Sequence, residues 1–333
     1  MKRIVIPFLL AAILVIGLNV NRIATTTAQT ANTLSAVRVE EGSMDPFDAL
    51  WVGAPSLSVS LVPIATDPET PGVTEVALSA AFNDTDLWIL AAWTDDTMNV
   101  GRNSWTWDGS TWVNNGGNED RLGLMFGIAP PAEFETAGCF AACHTASEPN
   151  YMGFPEGSTN TTDLWYWKAS RTAPASYADD QWVTVADLSA EEVTGRQNDE
   201  KESGGYSDNR NEPGDGPAFT YSPEALYGGA LTPDSAVAVE GQELFWGQTV
   251  PGYVVSRPVG SRGDVEAASF YVRDVAGGGR WFVVLHRALN TGNPDDATLA
   301  PGNDYPFGVA VFNNTGGNHH MVSAAILTLA LTE

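Results

Sequence analysis

The chain lacks the short motifs of the commonest enzyme classes. It has no G-x-S-x-G nucleophile elbow, no phosphate-binding Walker loop and no H-E-x-x-H zinc motif. It contains only two cysteines and four histidines, so little remains for nucleophilic catalysis once these residues are assigned. Paired carboxylates are abundant, but in so acidic a chain their presence alone does not indicate catalysis. The sequence therefore predicts a protein that is not itself an enzyme.

Basic residues are also scarce. The chain has 16 lysines and arginines against 41 aspartates and glutamates, which gives a formal net charge of -25. Such a surface repels nucleic acid and anionic membranes, so we expect no nucleic-acid partner. The charge suits weak docking to a basic partner protein. Solubility, or adaptation to salt or acid, explains the same composition equally well.

Only the N-terminus carries a long apolar run. Lys2 and Arg3 precede the apolar stretch from Ile4 to Leu18, which at about 15 residues is short for a bilayer of about 30 Å. Small residues that suit cleavage follow it. We therefore predict that residues 1–28 are a signal peptide, with an uncleaved anchor as the alternative, and that residues 29–44 are flexible. The chain would be exported to the periplasm or the outer face of the cytoplasmic membrane, with no membrane span after cleavage.

Long amphipathic helices and internal repeats are absent from the sequence pattern. Short apolar or alternating runs instead recur between turn residues, as in Leu57–Pro63, Val73–Phe82 and Trp281–His286. This pattern predicts a mostly β fold: an antiparallel β-sandwich with long loop insertions and few short helices. We expect one domain over residues 45–333, in which the polar, glycine-rich stretch 191–217 is a long surface loop.

The two cysteines lie in one hexapeptide that runs from Cys139 through Cys143 to His144. A c-type haem needs two thiols for thioether bonds and a neighbouring imidazole for the iron, although the usual gap between the cysteines is two residues rather than three. The hexapeptide predicts one covalent haem c, with His144 as the proximal ligand. A local Cys139–Cys143 disulfide is the alternative.

Several stretches along the chain resemble a known family. They include Asp163 to Ala169, Gly205 to Arg210 and Tyr305 to Ala310, and their order holds over roughly residues 45–330. Together they resemble the haem-binding family related to the γ subunit of ethylbenzene dehydrogenase. The resemblance implies a β-sandwich that holds one haem near one end and transfers electrons beside a molybdenum enzyme and an iron–sulfur subunit. Its c-type branch carries a Cys/Cys/His motif, whereas the γ subunit itself holds haem non-covalently through Met and Lys.

The distal iron ligand has several candidates. His319 and His320 are the first choice, with His320 favoured, because adjacent strand residues point to opposite faces and only one would reach the iron. A surface histidine pair is the alternative. Met152 is the second choice, although its position favours the role of an ordinary packing methionine over that of an iron ligand.

Three other residues are candidates for contact with the haem. Lys168 is a candidate for a haem propionate, with a snorkelling or paired lysine as the alternative. Trp165 and Trp167 suit either a haem pocket wall or a sandwich core.

Two acidic pairs are candidates for calcium. Asp179-Asp180 and Asp295-Asp296 supply the carboxylates that Ca²⁺ prefers, but neither lies in a loop of EF-hand spacing. We therefore expect solvated turns at both places.

The leading functional prediction is an exported monohaem c-type cytochrome. It would exchange electrons with a partner oxidoreductase, such as molybdenum and iron–sulfur subunits, or with a small carrier. The alternative is a non-redox exported β-sandwich binding module, for example for carbohydrate, with a Cys139–Cys143 disulfide and an aromatic ligand face. A third hypothesis is a haem sensor with an open sixth position.

Overall fold

A computed structural model describes residues 32–63, 72–129, 134, 152–154, 159–186, 195–223, 225, 229–275, 277–316, 321–323 and 325–332. Within these residues the chain is mostly antiparallel β, which confirms the predicted fold class. In this part of the chain, no helix has the length and apolar character needed to cross a lipid bilayer.

The secondary-structure elements are short and follow one another closely. The strands, in chain order, are β1 (Thr33–Ser35), β2 (Val37–Arg38), β3 (Leu57–Pro63), β4 (Glu75–Phe82), β5 (Asp86–Asp95), β6 (Trp105–Trp107), β7 (Trp112–Asn114), β8 (Arg121–Ala129), β9 (Thr161–Lys168), β10 (Asp179–Val183), β11 (Arg196–Asn198), β12 (Ser203–Asp208), β13 (Phe219–Tyr221), β14 (Ala236–Ala238), β15 (Thr249–Val250), β16 (Tyr253–Val259), β17 (Glu266–Arg273), β18 (Gly279–Ala288), β19 (Asp304–Phe312), β20 (Met321–Ser323) and β21 (Leu327–Ala330). Helix α1 spans Ala49–Gly53, and 3₁₀ turns span Ala173–Ala175 and Ser261–Gly263.

One large sheet forms the body of the protein. Its strands are hydrogen-bonded in the order β11-β10-β9-β8-β19-β20-β3-β4-β5-β18-β17. The short strand β20 pairs with both β19 and β3, so it joins a half built on β8–β11 and β19 to a half built on β3–β5, β17 and β18. Strand β21 pairs with β19 and, in parallel, with β1.

The main core lies between these two halves. Alternate residues of β8 (Leu122, Leu124 and Phe126) belong to the same buried cluster as alternate residues of β18 (Trp281 and Val283). Because successive side chains of a strand point to opposite faces, this alternation places one face of each half against the other. The sheet is therefore a curled sandwich with a shared apolar interior.

Tryptophans fill the centre of this core. The ring centroid of Trp167 lies 5.1 Å from that of Trp281 and 6.2 Å from that of Trp93, and both pairs are T-shaped. Such edge-to-face contacts between large rings add to the stabilisation that comes from area burial. On the outer face of β5 and β18, α1 packs through Trp51, and the Asp48 side chain caps this helix by accepting from Leu50 N at 2.8 Å.

Three small sheets lie beside the sandwich. They are formed by β15-β6-β7, β13-β14 and β12-β16. They contribute a separate apolar cluster around Trp105, Tyr221, Leu231 and Val250. The segment between β5 and β8 and the segment between β11 and β17 thus share a small core of their own.

Two segments expected to be irregular contain strands. The stretch 191–217 holds β11 and β12, and residues 29–44 hold β1 and β2. All three residues of β11 are exposed on the sheet edge, and an edge strand with two polar faces gives no hydrophobic signal. Strand β1 is held by its backbone pairing to β21 and by the fully buried Leu34. The domain boundaries stay predictions.

Candidate functional site

An open groove of about 580 Å³ lies between the sandwich and the small sheets. We call it the aromatic groove. Its residues come from the segment before β6, the turn after β9, and strands β13 and β15–β18. They are Met98, Val100, Gly101, Ser104, Ala169, Ser170, Ala173, Pro174, Tyr221, Gly229, Ala230, Leu231, Thr249, Val250, Pro251, Gly252, Tyr253, Val255, Ser269, Tyr271 and Trp281.

Four aromatic side chains line the groove, namely Tyr221, Tyr253, Tyr271 and Trp281. Tyr271 and Trp281 are paired across β17 and β18, with ring centroids 5.2 Å apart. The Tyr271 hydroxyl donates to the Asp95 carbonyl at 2.8 Å, and the Tyr221 hydroxyl donates to the Gly229 carbonyl at 2.7 Å. These bonds hold the polar tips against the protein backbone, which fixes the rings before any ligand arrives.

The described residues that line the aromatic groove carry no charge, although the chain has a net charge of -25. Polar groups in the lining are the hydroxyls of Ser104, Ser170, Thr249 and Ser269, together with the tyrosines and the backbone. A lining of this kind suits a neutral ligand that has apolar faces and hydroxyl groups. Among the described residues, this lining offers no carboxylate, imidazole or amine for acid–base catalysis.

A buried carboxylate orients Trp281 from behind the groove. Asp120 accepts from Trp281 Nε1 at 3.0 Å, from Asn99 N at 2.8 Å and from Asn314 N at 3.0 Å. Burial, with a smaller contribution from the neighbouring Asp95, raises the pKa of Asp120 to about 7 against the opposing effect of the NH donors. The Trp281 ring is thus held by a group that can titrate near neutral pH.

A second carboxylate holds the turn after β9. The buried Glu119 accepts from Ser170 N at 2.9 Å and from Arg171 Nε at 2.6 Å. Arg121 and Arg102 each lie 3.6 Å from the same carboxylate. Because Ser170 lines the groove, this ionic network fixes the position of one wall.

Lys168 lies in a buried ion pair. Its Nζ contacts the Asp179 carboxylate and lies 3.2 Å from the Tyr206 hydroxyl, while Arg262 Nε donates to the other oxygen of Asp179 at 2.8 Å. The two cations hold the pKa of Asp179 below its usual range in spite of its burial. The structure thus places Lys168 as the paired lysine of the alternative interpretation, with its ammonium turned away from solvent.

The other predicted haem contacts are spread over the molecule or fall outside the described residues. Trp165 and Trp167 are fully buried in the main core, and the half-buried Met152 packs against a cluster on the outer face of β8 and β9. The remaining candidates, Cys139, Cys143, His144, His319 and His320, lie outside the described residues. Their role as haem ligands stays a prediction.

The aromatic groove does not fit a haem with two protein ligands. Among its described lining residues, the side chains with an atom able to ligate haem iron are Met98 and the three tyrosines, and the hydroxyls of Tyr221 and Tyr271 are already bonded to backbone carbonyls. An electron-transfer haem usually has a second ligand on the opposite face, and the described residues that line the groove include no histidine, lysine or other methionine.

The acidic pairs are buried rather than solvated turns. Asp179 forms the ion pair with Lys168, and Asp180 and Asp296 lie against Arg287 in the interior. Asp295 is half-buried beside them. The expectation of solvated turns is wrong because strands β9, β10 and β18 enclose these side chains.

The chain was compared with protein families, curated proteins and solved structures. Residues 48–323 match the family described as "Ethylbenzene dehydrogenase". No curated protein matches the chain. A carbohydrate binding module of family 9 from Caldicellulosiruptor kristjanssonii, solved with glucose, is 8% identical with a TM-score of 0.35, over 90% of this chain and 95% of that one. A putative carbohydrate-binding protein from Bacteroides uniformis is 9% identical with a TM-score of 0.39, over 91% of this chain and all of that one.

These findings correct the leading functional prediction. Both structural neighbours are carbohydrate-binding proteins rather than electron carriers, and the family description mentions no haem. The prediction of an exported monohaem c-type cytochrome, with its haem, iron and electron-transfer assignments, finds no support in them and is not carried forward. The resemblance to the ethylbenzene dehydrogenase family is confirmed.

The residues of the aromatic groove were missed in the sequence. Tyr221, Tyr253, Tyr271 and Trp281 come from strands that no local pattern brings together. The alternation in β17 and β18 carried part of the signal, because a hairpin that pairs Tyr271 with Trp281 places both rings on one face.

Proposed function

The chain belongs to the ethylbenzene dehydrogenase family, and we propose that it acts as a non-catalytic binding module whose aromatic groove takes a neutral carbohydrate. The observation that carries this proposal is the uncharged, aromatic and hydroxyl-bearing lining of the groove. The volume of about 580 Å³ lies within the range of about 300–1,000 Å³ that is usual for small-molecule sites.

The chemistry of a sugar matches this lining on two counts. The CH-rich face of a sugar ring packs against the half-buried ring of Tyr271, whose burial supplies the apolar part of the binding energy, while the 4% exposed Trp281 supports that ring at a centroid distance of 5.2 Å. Its hydroxyl groups can exchange hydrogen bonds with Ser170, Ser269 and the exposed backbone of the groove. The absence of charge among the described lining residues disfavours sugar acids and phosphates, because nothing there would pair with an anion.

The fixed geometry of the groove favours affinity. The rings of Tyr221, Tyr271 and Trp281 are each anchored by a hydrogen bond from their polar atom. A ligand that enters therefore loses little binding energy to the ordering of protein side chains.

Isothermal titration with a panel of neutral mono- and oligosaccharides tests the proposal. We expect saturable binding by at least one neutral sugar and none by the matching uronic acid. Tyr271→Ala should weaken binding about tenfold or more, which corresponds to about 1.4 kcal/mol of lost contact energy.

The matched control is the neighbouring Phe270→Ala. Phe270 is exposed, points to the opposite face of β17 and packs on Phe47 at 5.7 Å, so its loss should leave sugar binding unchanged. Binding that survives Tyr271→Ala, or that is lost equally in both variants, would contradict the assignment of the site. Binding of uncharged aromatic compounds without any sugar would contradict the ligand class.

A further inference from the structure

Five aspartates from four separate segments converge around one arginine. We call this group the Arg287 cluster: Asp163 of β9, Asp180 of β10, Asp199 after β11, Asp295 and Asp296 after β18, and Arg287 of β18. It lies apart from the residues that line the aromatic groove. The inference drawn from it is independent of carbohydrate binding.

Arg287 neutralises only one side of the cluster. Its NH1 lies 2.7 Å from Asp163, 3.3 Å from Asp180 and 3.2 Å from Asp296, and its NH2 donates to the Ala297 carbonyl at 3.0 Å. One guanidinium thus faces three buried carboxylates. Among the described residues, no second cation is paired with this group.

The carboxylate of Asp199 is buried without a hydrogen-bond partner. Its side chain is 3% exposed, and neither of its carboxylate oxygens has a hydrogen-bond partner. An unpartnered buried carboxylate is costly, because it has lost its hydration and received nothing in exchange. The Asp199 carboxylate nevertheless points towards Asp295 and Asp296, with one oxygen of each residue within 4.8 Å of the others.

Further free oxygens face the same space. Oδ1 of Asp163 and Oδ1 of Asp180 are buried without a hydrogen bond, and Oδ1 of Asp296 has only the Arg287 guanidinium at 3.2 Å as a partner. The other oxygen of Asp296 is held by Thr291 Oγ1 and by Asn293 Nδ2 at 3.2 Å, which orients the carboxylate. A metal-binding carboxylate is typically held by hydrogen bonds from neighbouring residues on one oxygen, which leaves the other oxygen available to the cation. The Asp296 carboxylate is held in this way by Thr291 and Asn293.

We propose that Asp199, Asp295 and Asp296 bind a Ca²⁺ ion, with Asp163 and Asp180 completing the negative surroundings that Arg287 partly balances. The donors are all oxygens, which excludes the nitrogen and sulfur sets that zinc prefers. Ca²⁺ accepts irregular sets of carboxylates, whereas Mg²⁺ demands near-ideal octahedral geometry and keeps several waters, for which a closed site leaves little room.

The electrostatics of the cluster agree with a missing positive charge. Burial, together with the charges of Asp295 and Asp296, raises the pKa of Asp199 to about 8. A divalent cation would remove this cost, so its binding should stabilise the fold directly.

Calorimetric unfolding of the full chain, after dialysis against a chelator, tests the site. We expect CaCl₂ at a hundredfold excess over its dissociation constant to raise the Tm by about 5 °C, with one ion bound per chain by titration calorimetry. MgCl₂ at the same concentration should raise the Tm far less. No rise with CaCl₂, or an equal or larger rise with MgCl₂, overturns the proposal.

The variant Asp199→Asn separates ion binding from a structural role. We expect it to lose the response to CaCl₂ while its Tm in chelator is equal to or above that of the wild type, because an unpaired buried charge has been removed. The exposed Asp208→Asn is the control and should keep the full response. If Asp199→Asn does not fold, the half-buried Asp295→Asn serves in its place. A response to CaCl₂ that persists in the aspartate variant of the cluster overturns the assignment.

Discussion

The aromatic groove and the Arg287 cluster differ in how this acidic chain distributes charge. The groove is lined by uncharged residues and takes its shape from rings with anchored polar tips. The cluster gathers five carboxylates around one guanidinium in the interior. The first region can be complete without a bound partner, whereas the second has more negative charge than its own residues balance. The comparison indicates that the stability of the Arg287 cluster depends on the balance of charges, whereas that of the aromatic groove depends on packing.

Removing the cation of the cluster should have the largest effect. Arg287→Met leaves the buried Asp163, Asp180 and Asp296 without their shared partner, and we expect a loss of about 3–5 kcal/mol in the free energy of unfolding. Urea unfolding of the protein in the presence of a chelator measures this change in the free energy of unfolding. Arg38→Met is the control, because Arg38 pairs with the exposed Asp84 and should contribute less than about 1 kcal/mol. Equal effects of the two variants would remove the contrast between buried and exposed charge.

The carboxylate behind the groove should produce a pH dependence of intermediate size. The folded pKa of Asp120 is about 7, above its ordinary value of 3.8. The native state therefore holds a proton that the unfolded state releases, so stability should fall as pH rises from about 4 to 7. The contribution reaches up to about 4 kcal/mol and is fully lost above pH 7.

The difference between wild type and Asp120→Asn isolates this contribution. Other buried carboxylates titrate in both proteins, so their contributions cancel when the two pH profiles of urea unfolding are subtracted. We expect the difference to change with pH across this window. Parallel profiles would show that Asp120 stays ionised in the fold, held by its three NH donors.

The smallest effect should follow from loss of one hydroxyl. Tyr271→Phe removes the hydrogen bond to the Asp95 carbonyl but keeps the ring, and we expect a loss of about 0.5–1.5 kcal/mol in stability. Sugar affinity should change less than in Tyr271→Ala, because the stacking surface remains. Affinities that fall equally in the two variants would assign the Tyr271 contribution to its hydroxyl rather than to its ring.

The fold class was predictable because the strands carry a local signal. The run Leu57–Pro63 coincides with β3, and the run Trp281–His286 lies within β18. Buried and exposed residues alternate over most of β3, and most residues of β18 are buried in succession; both patterns are typical of strands that face an apolar core. Strand β11 gave no such signal, since its three residues are all exposed and owe their conformation to pairing with β10.

The two sites were far less predictable than the fold. Trp281 belongs to an apolar strand, and the sequence around it does not indicate that the edge of its ring reaches a groove. Asp199 stands in a polar stretch where an exposed aspartate is the usual expectation, and its burial arises from the neighbouring strands and from Asp295 and Asp296. The residue types were visible in the sequence, but their proximity depends on the order of strands in the sheet.

The parallel pairing of β1 with β21 has a consequence for folding. Thr33 is opposite Thr328 and Ser35 is opposite Ala330, so the first described strand is completed by the last one. Contacts between such distant parts of a chain are slow to form, because a long loop must close before they contribute. This edge of the sandwich therefore stays unpaired until β21 has been synthesised and has reached β1. A chain that is cut short before β21 would expose the backbone of β1 and β19 to pairing with other chains.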